Sequence, residues 1–217
     1  MSGDDYHRAI DVEGVKEEKL PAGRELGKSE IKALIRDCEK DPTIAGVRDA
    51  AIIALAYSCG LRRTEIVNLN LEDYDLVTGR LIIHGKRSKQ RTAYLVNGAK
   101  RAVDDWLAVR GDNPGALFVA VGRERKILSY RNMTSQTIYD ILTKRGRNSN
   151  VAELSPHDLR RTFVSDLLDA GVDISTIAKM AGHASIVTTA RYDRRPELSK
   201  VQAAEMLHVP YHGRNGK

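Results

Sequence analysis

The stretch from Ser155 to Tyr192 reads SPHDLRRTFVSDLLDAGVDISTIAKMAGHASIVTTARY, and it decides how this chain is interpreted. It brings two histidines, an arginine pair and a tyrosine into fewer than forty residues. Serine is a favoured N-cap, proline suits the first helical turn, and Asp158 completes a pattern like a capping box. These signals predict a helix that begins at Pro156.

Two side chains on the predicted helix face the same side near its first turn. His157 and Arg160 are three residues apart, while Leu159, Phe163 and Leu167 form a second stripe that we expect to be buried. A helix N-terminus attracts anions through its free N–H groups and its dipole. The pattern therefore indicates an anion site, although a capped helix with a surface arginine would show the same residues.

A tyrosine follows in a setting that suggests chemistry. Tyr192 lies nine residues after His183, which itself follows Gly182. A free tyrosine hydroxyl ionises only at about pH 10, so it attacks phosphorus only when its neighbours stabilise the developing charge. Without such neighbours, Tyr192 would be an ordinary packed aromatic residue.

Two upstream segments offer those neighbours. Residues 60–65, GLRRTE, begin a short helix with Arg62 at its start. Strands are predicted at Arg80–His84 and Arg91–Val96, joined by a basic turn that carries Lys86. The candidate site residues are thus Arg62, Lys86, His157, Arg160, His183 and Tyr192.

The composition permits a polyanionic partner without requiring one. The chain has 217 residues and a formal net charge of +6. Basic clusters lie at residues 86–91, 122–126 and 144–147, and each alone is most simply a solvated loop.

Cys38 and Cys59 have apolar helical surroundings and are expected to be buried free thiols. The longest apolar run is too short to cross a bilayer and no signal peptide begins the chain, so a cytoplasmic, nucleoid-associated protein without a membrane partner is expected.

The whole chain is predicted to be mainly α with a small antiparallel sheet, an α+β fold. Residues 1–26 are polar and are interpreted as a linker or arm, and residues 27–217 as one domain in which Trp106 is core. The predicted helices follow Ser29 and then span Ile44–Cys59, Arg62–Leu69, Ala99–Arg110, Ser135–Arg145, Pro156–Ala170, Ile174–Met180, Ile186–Tyr192 and Pro196–Leu207.

These motifs together resemble the catalytic domain of the tyrosine recombinases, the lambda-integrase-like enzymes. The resemblance rests on G-L-R-x-x-E at 60–65, Gly85-Lys86 in the hairpin, H-x-L-R at 157–160, Gly182-His183 and the tyrosine nine residues later. It extends from about Glu25 to Leu207, nearly the whole chain. One departure is Arg161, where many members carry histidine.

The resemblance implies a role for each candidate. Tyr192 would attack a scissile phosphate and form a 3′-phosphotyrosyl bond, while Arg62 and Arg160 hold the non-bridging oxygens. Lys86 would protonate the leaving oxygen, His157 would act as acid or base, and His183 would hydrogen-bond the phosphate. Supporting roles are expected for Glu65 behind the arginines and for Arg87, Lys89, Arg91 and Arg161 in contacting DNA.

The implied partner is double-stranded DNA, on which members of the family assemble as tetramers. No cofactor is expected, because no carboxylate cluster suggests a metal site and no phosphate-binding loop suggests a nucleotide. Members usually carry an N-terminal core-binding domain, which is expected to be absent from this chain. The segment after Pro196 would pack either on a neighbouring protomer or on its own domain.

Two other functions remain open at this point. A type IB topoisomerase shares the chemistry, but its tyrosine usually follows a Ser-Lys pair, whereas Thr189-Ala-Arg precedes Tyr192 here. A non-catalytic helix-turn-helix regulator would explain residues 172–182. It would leave the first motif and the hairpin lysine without a purpose.

Overall fold

The computed structural model describes residues 23–85, 90–122, 126–127, 130, 132–151, 154–193 and 196–211, without the side chains of 196–199 and 202. Its helices are α1 Lys28–Lys40, α2 Ile44–Cys59, α3 Arg63–Val67, α4 Asn97–Arg110, α5 Ser135–Asn148, α6 Pro156–Asp169, α7 Ile174–Ala181, α8 Ile186–Ala190 and α9 Pro196–Glu205, with a 3₁₀ turn at Leu71–Asp73. The strands are β1 Arg80–His84 and β2 Gln90–Tyr94. The prediction of a mainly helical chain with one small antiparallel sheet is confirmed.

Helix α2 forms the centre of the fold. It is apolar on nearly every side and packs against α1, α4 and α6. Its N-cap Thr43 accepts a hydrogen bond from the backbone N–H of Gly46, and it ends at Gly60 in the left-handed conformation. Trp106 on α4 is fully buried beside it, as predicted, and donates to the carbonyl of Leu117 at 2.8 Å. The core therefore surrounds the helix that leads directly into the GLRRTE segment.

The two strands form an antiparallel hairpin with Ile83 opposite Arg91. Leu81 and Ile83 are buried on the inner face of the hairpin. The second strand begins one residue earlier than predicted and ends at Tyr94, because Val96 already serves as the N-cap of α4. The basic turn predicted between the strands falls at residues 86–89, outside the described residues.

Helix α6 begins as the sequence predicts. The carboxylate of Asp158 accepts the backbone N–H of Ser155 at 2.6 Å, which completes the capping box. Leu159 and Phe163 are buried, whereas Leu167 is only half-buried. The end of the helix packs with α7 in a small apolar cluster that Tyr192 joins, made of Phe163, Val164, Leu168, Ile177 and Ala181.

One of the basic clusters does not face solvent. Helix α5 continues to Asn148, beyond its predicted end, and Arg145 within it is only 2% exposed. Its guanidinium binds the carboxylates of Asp37, Asp41 and Asp49 at 3.1, 2.7 and 2.9 Å. The solvated-loop interpretation of residues 144–147 is therefore wrong for Arg145, which joins α5 to α1 and α2.

Both cysteines are buried free thiols, as expected. Within the described ranges, no helix has the length and apolar character needed to span a membrane.

Candidate active site

Arg62 stands at the junction between α2 and α3. It is the N-cap of α3, and its backbone N–H donates to Glu65 Oε2 at 2.9 Å. Its guanidinium donates to Glu65 Oε1 at 2.8 Å and to the carbonyl of Gly182 at 3.3 Å. The side chain remains 43% exposed. Arg62 is thus held from one side and accessible from the other.

Both the backbone conformation at position 60 and the packing around it require a glycine. Its φ is +57°, and a Cβ there would overlap the ring of Phe163 on α6. This close approach lets the Gly60 carbonyl accept a hydrogen bond from Arg160 Nη1 at 2.5 Å. Gly60 of the GLRRTE segment therefore binds Arg160 of the H-x-L-R motif.

Glu65 binds a second arginine, Arg91 of β2. The two Nη atoms of Arg91 donate to Oε1 and Oε2 of Glu65, each at 2.9 Å, and Nε donates to the carbonyl of Met180 at 2.9 Å. Arg91 also packs on Gly182, where a Cβ would lie 3.0 Å from its Nη1. Burial raises the pKa of Glu65, but the hydrogen bonds from Arg91 and Arg62 outweigh it and lower the pKa overall.

Arg91 was predicted to contact DNA, and the structure directs its guanidinium to protein acceptors instead. The donors of Arg91 are largely occupied by Glu65 and by the carbonyl of Met180. A contact of Arg91 with DNA stays a prediction. The hairpin register contains the signal for this inward placement. Arg91 pairs with the buried Ile83, and cross-strand partners share a face of the sheet.

Arg160 is the buried cation of the site. It is 4% exposed, and its Nη2 atom has no hydrogen-bond partner among the described residues. Burial, together with the positive charges of Arg62 and Arg91, lowers the pKa of its guanidinium to about 10. A buried donor without an acceptor costs free energy that a bound anion would recover.

His183 follows the end of α7. Its Nδ1 lies 2.8 Å from Oγ1 of the fully buried Thr189, and its backbone N–H donates to the carbonyl of Ala178. Burial, followed by the charges of Arg160, Arg62 and Arg91, lowers the pKa of the imidazole to about 4. His183 is therefore neutral at pH 7.

Tyr192 is half-buried directly after α8. Its ring lies parallel to that of His183, with centroids 6.4 Å apart and an angle of 9°. The guanidinium carbon of Arg161 lies 5.8 Å from the Tyr192 ring centroid. The backbone N–H of Tyr192 donates to the carbonyl of Thr189 at 3.0 Å. The phenol ring therefore lies beside Arg161 of α6 and beside His183 in the turn after α7.

The structure thus brings together six of the predicted residues from five separate segments. They are Arg62, Glu65, Arg91, Arg160, His183 and Tyr192. His157 is exposed in the first turn of α6, and among the described residues its ring has no hydrogen bond to the rest of the cluster. Lys86, Arg87 and Lys89 lie outside the described residues.

Arg161 is buried, although it was predicted to contact DNA. Its Nη1 donates to the carbonyl of Gly23 at 2.6 Å. The guanidinium of Arg161 is thus engaged within the protein. As for Arg91, a contact of this side chain with DNA stays a prediction.

The cluster can hold an anion next to the phenol of Tyr192. It contains three guanidinium groups and a single carboxylate, so its net charge is positive, and its imidazole is neutral. Paired guanidinium groups match the oxygens of a phosphate. Among the residues that the structure describes, no group of three His, Cys, Asp or Glu side chains is placed to hold a metal ion.

Comparison with known proteins gives the same result from sequence and from structure. Residues 24–197 match the model of the phage integrase family. The chain is 33% identical over 202 residues to the tyrosine recombinase XerA of Pyrococcus furiosus and 30% identical over 202 residues to the tyrosine recombinase XerC of Vibrio parahaemolyticus. Each alignment covers 92% of this chain, and they cover 68% and 63% of those relatives.

Solved structures with the same fold include three recombinases. The crystal structure of XerA recombinase matches with a TM-score of 0.68 and 25% identity, over 87% of this chain and 68% of that one. XerH recombinase in a post-cleavage complex with its difH substrate matches at 0.69, with 21% identity over 91% and 57% of the two chains. The Tn1549 transposon integrase with transposon end DNA matches at 0.70, with 16% identity over 88% and 67%.

The fold is that of a tyrosine recombinase catalytic domain. The chain belongs to the phage integrase family. It spans about two thirds of the length of the two relatives compared.

Proposed function

We propose that this chain cleaves and rejoins DNA strands in site-specific recombination, with Tyr192 as the nucleophile. The observation that carries the proposal is the state of Arg160, a buried guanidinium with an unpartnered Nη2 beside His183 and Tyr192. A phosphodiester is the anion that this arrangement suits, because an attacking phenol and a phosphate clamp are useful only together.

In the proposed reaction, the Tyr192 oxygen attacks the scissile phosphorus and loses its proton. The bond from phosphorus to the 5′ oxygen breaks, and that oxygen leaves as a hydroxyl after taking up a proton. The 3′ end remains joined to Tyr192 as a phosphodiester. The reverse reaction with another 5′ hydroxyl rejoins the strand, and the number of phosphodiester bonds is conserved.

Arg62 and Arg160 stabilise the charge on the non-bridging oxygens as it grows. Arg62 lies at the start of α3, where Glu65 holds its guanidinium, and Arg160 lies on α6. The neutral His183 offers its Nε2 to the phosphate, because its Nδ1 is occupied by Thr189. Removal of one such donor costs about 100- to 1000-fold in rate in comparable sites.

The remaining roles are carried from the family resemblance. We assign Lys86 as the general acid for the 5′ oxygen, His157 as an acid or base near Tyr192, and Arg87 and Lys89 as phosphate contacts. Residues 27–217 would form the catalytic domain, with 1–26 as a linker whose described residues, 23–26, pack on that domain through the buried Leu26. Double-stranded DNA is the partner, and the chain would assemble on it, in keeping with related recombinases solved with DNA.

Covalent capture tests the proposal. The protein is incubated with a library of nicked duplexes that carry a randomised central segment, so that the cleaved 5′ fragment diffuses away and the adduct accumulates. Wild type is expected to form a protein–DNA band on a denaturing gel, and Tyr192→Phe is expected to form none. Absence of a wild-type adduct contradicts the function, and an adduct with Tyr192→Phe contradicts the nucleophile. Relaxation of plasmids without a selected site would indicate a type IB topoisomerase.

A further inference from the structure

The segment before α1 is docked on the helix that carries Arg160. The backbone N–H of Arg24 donates to Asp158 Oδ1 at 2.7 Å, and that of Leu26 donates to Thr162 Oγ1 at 2.8 Å. Leu26 is buried, and a Cβ on Gly23 would lie only 2.6 Å from Asp158 Oδ1. Residues 23–26 therefore follow the surface of α6 closely.

Arg161 connects this docked segment to the tyrosine. Its Nη1 donates to the Gly23 carbonyl at 2.6 Å, and its Nε lies 3.5 Å from Glu25 Oε1. The same guanidinium is 5.8 Å from the ring centroid of Tyr192. One buried side chain thus contacts both the chain entering the domain and the phenol at the site.

The chemistry of arginine suits this double contact. Its planar guanidinium presents donors at its edge while its face lies against an aromatic ring, and its charge persists at every physiological pH. The donors of Arg161 can therefore bind the Gly23 carbonyl while its face lies near the Tyr192 ring.

We propose that Arg161 is a positioning residue for Tyr192, which ties the ring of the nucleophile to the backbone of residues 23–25. The proposal rests on the proposed function of Tyr192. Its consequence is that a displacement of the Gly23 carbonyl or of the Glu25 carboxylate, the two groups that Arg161 contacts in this segment, alters the position of the phenol. The chain entering the domain and the nucleophile are in this way coupled through a single side chain.

Hydrogen exchange on the free full-length chain tests the structural part of the proposal. The amides of residues 189–193 report on how firmly Tyr192 is held, since its own N–H donates to Thr189. Arg161→Gln is expected to speed their exchange about three- to thirtyfold, the range that a buried cation–π contact provides. Arg161→Lys, which keeps the charge, should restore protection to within about threefold of wild type.

A matched control separates positioning from general destabilisation. Thr162→Val removes the hydrogen bond to Leu26 from the same helix without touching the tyrosine. It should loosen residues 23–26 while leaving exchange at 189–193 below the Arg161→Gln rate. Unchanged exchange at 189–193 in Arg161→Gln would overturn the proposal. Equal acceleration in Thr162→Val would overturn it too, because the arginine would then act only through the docking.

Adduct formation gives the functional readout. Arg161→Gln should slow single-turnover capture of the nicked library at saturating protein, where the rate no longer depends on DNA affinity, and affinity is measured separately in the Tyr192→Phe background. A fall in affinity with an unchanged rate of capture would overturn the positioning role. If wild type itself formed no adduct, the proposed function would fail, and the exchange measurements would still decide whether Arg161 holds Tyr192.

Discussion

Glu65 and Arg91 form a two-pronged ion pair in which both carboxylate oxygens accept a hydrogen bond at 2.9 Å. The pair joins α3 to β2. Glu65 also binds Arg62, so the carboxylate stands between Arg91, which is 12% exposed, and Arg62, which is 43% exposed. The hairpin therefore helps to orient Arg62 through Glu65.

Glu65→Gln is expected to disturb both arginines. The amide lacks the charge and one of the two acceptor oxygens, so Arg91 is left partly unpaired in a site where it is 12% exposed. Loss of one partner from a buried pair costs about 3 kcal/mol or more. Chemical unfolding should show that loss, and adduct formation should fall at least tenfold. Glu72→Gln, at an exposed position, should change neither, and a fully active Glu65→Gln would contradict the role given to this carboxylate.

Gly60→Ala should fold poorly or not at all. The new methyl group would overlap the Phe163 ring at a residue with φ of +57°, and the displaced carbonyl would release Arg160. We expect a loss of at least about 2 kcal/mol in unfolding free energy. Gly98→Ala is the matched control, because nothing lies within 4 Å of its Cβ and it sits in the first turn of α4. That variant should be neutral or slightly more stable, and equal effects of the two would contradict the packing argument.

The order of the elements could be predicted because their signals are local. The capping pattern at Ser155 and the glycine at the end of α2 each act within one turn, and both are confirmed. The positions of buried arginines could not be predicted in this way. Arg145 carries the same charge as a surface residue, and only its acidic partners from distant segments reveal that it points inward. Arg91 differs, because its pairing with the buried Ile83 indicates the inward face of the hairpin once the register is known.

Arg145→Met tests this distinction between structural and surface cations. The substitution removes the partner of three carboxylates, of which Asp49 is the most deeply buried. Arg48 still binds Asp49, so we expect a loss of about 3 kcal/mol rather than complete unfolding. Arg147→Met, on the exposed side of the same helix, should change stability by less than about 0.5 kcal/mol. Thermal unfolding of both variants measures the difference, and similar melting temperatures would contradict the burial of Arg145.

His183 should make stability depend on pH in a defined window. Its pKa is lowered from 6.5 to about 4, so the unfolded state takes up a proton before the folded state as the pH falls. As the pH falls from 6.5 to 4, the titration of His183 should therefore lower the free energy of unfolding by at most about 1.4 kcal/mol per pH unit. The charged groups that face it are Arg160, Arg62, Arg91 and Glu65.

The test for His183 compares wild type with His183→Gln across that window. The variant should lose less stability on acidification, because glutamine does not titrate. The difference between the two curves should become independent of pH above pH 7, where the imidazole is neutral in both the folded and the unfolded state. A wild-type imidazole that titrates near pH 6.5 by NMR would show that the surrounding arginines do not act on it as described.

Arg160→Met should separate stability from function. The buried guanidinium has an unpartnered Nη2, and burial and neighbouring arginines lower its pKa to about 10. It stays protonated at neutral pH, but its charged form is less stable in the folded state than in the unfolded state. Its replacement by an apolar side chain of similar length should leave the melting temperature unchanged or raised. Adduct formation should fall by about 100-fold or more, since a donor to the phosphate is lost.

Sulfate provides the decisive measurement, because it resembles the phosphate that the site is proposed to hold. At constant ionic strength, replacement of chloride by millimolar sulfate should raise the melting temperature of wild type along a saturating curve, as a ligand that binds only the folded state does, whereas the general effect of sulfate exclusion grows without saturation in every variant. Arg160→Met should lose this response, and Arg63→Met, one residue beyond the clamp and exposed, should keep it. A response that persists in Arg160→Met would mean that the anion binds elsewhere. A melting temperature well below that of wild type would mean that Arg160 is a structural residue.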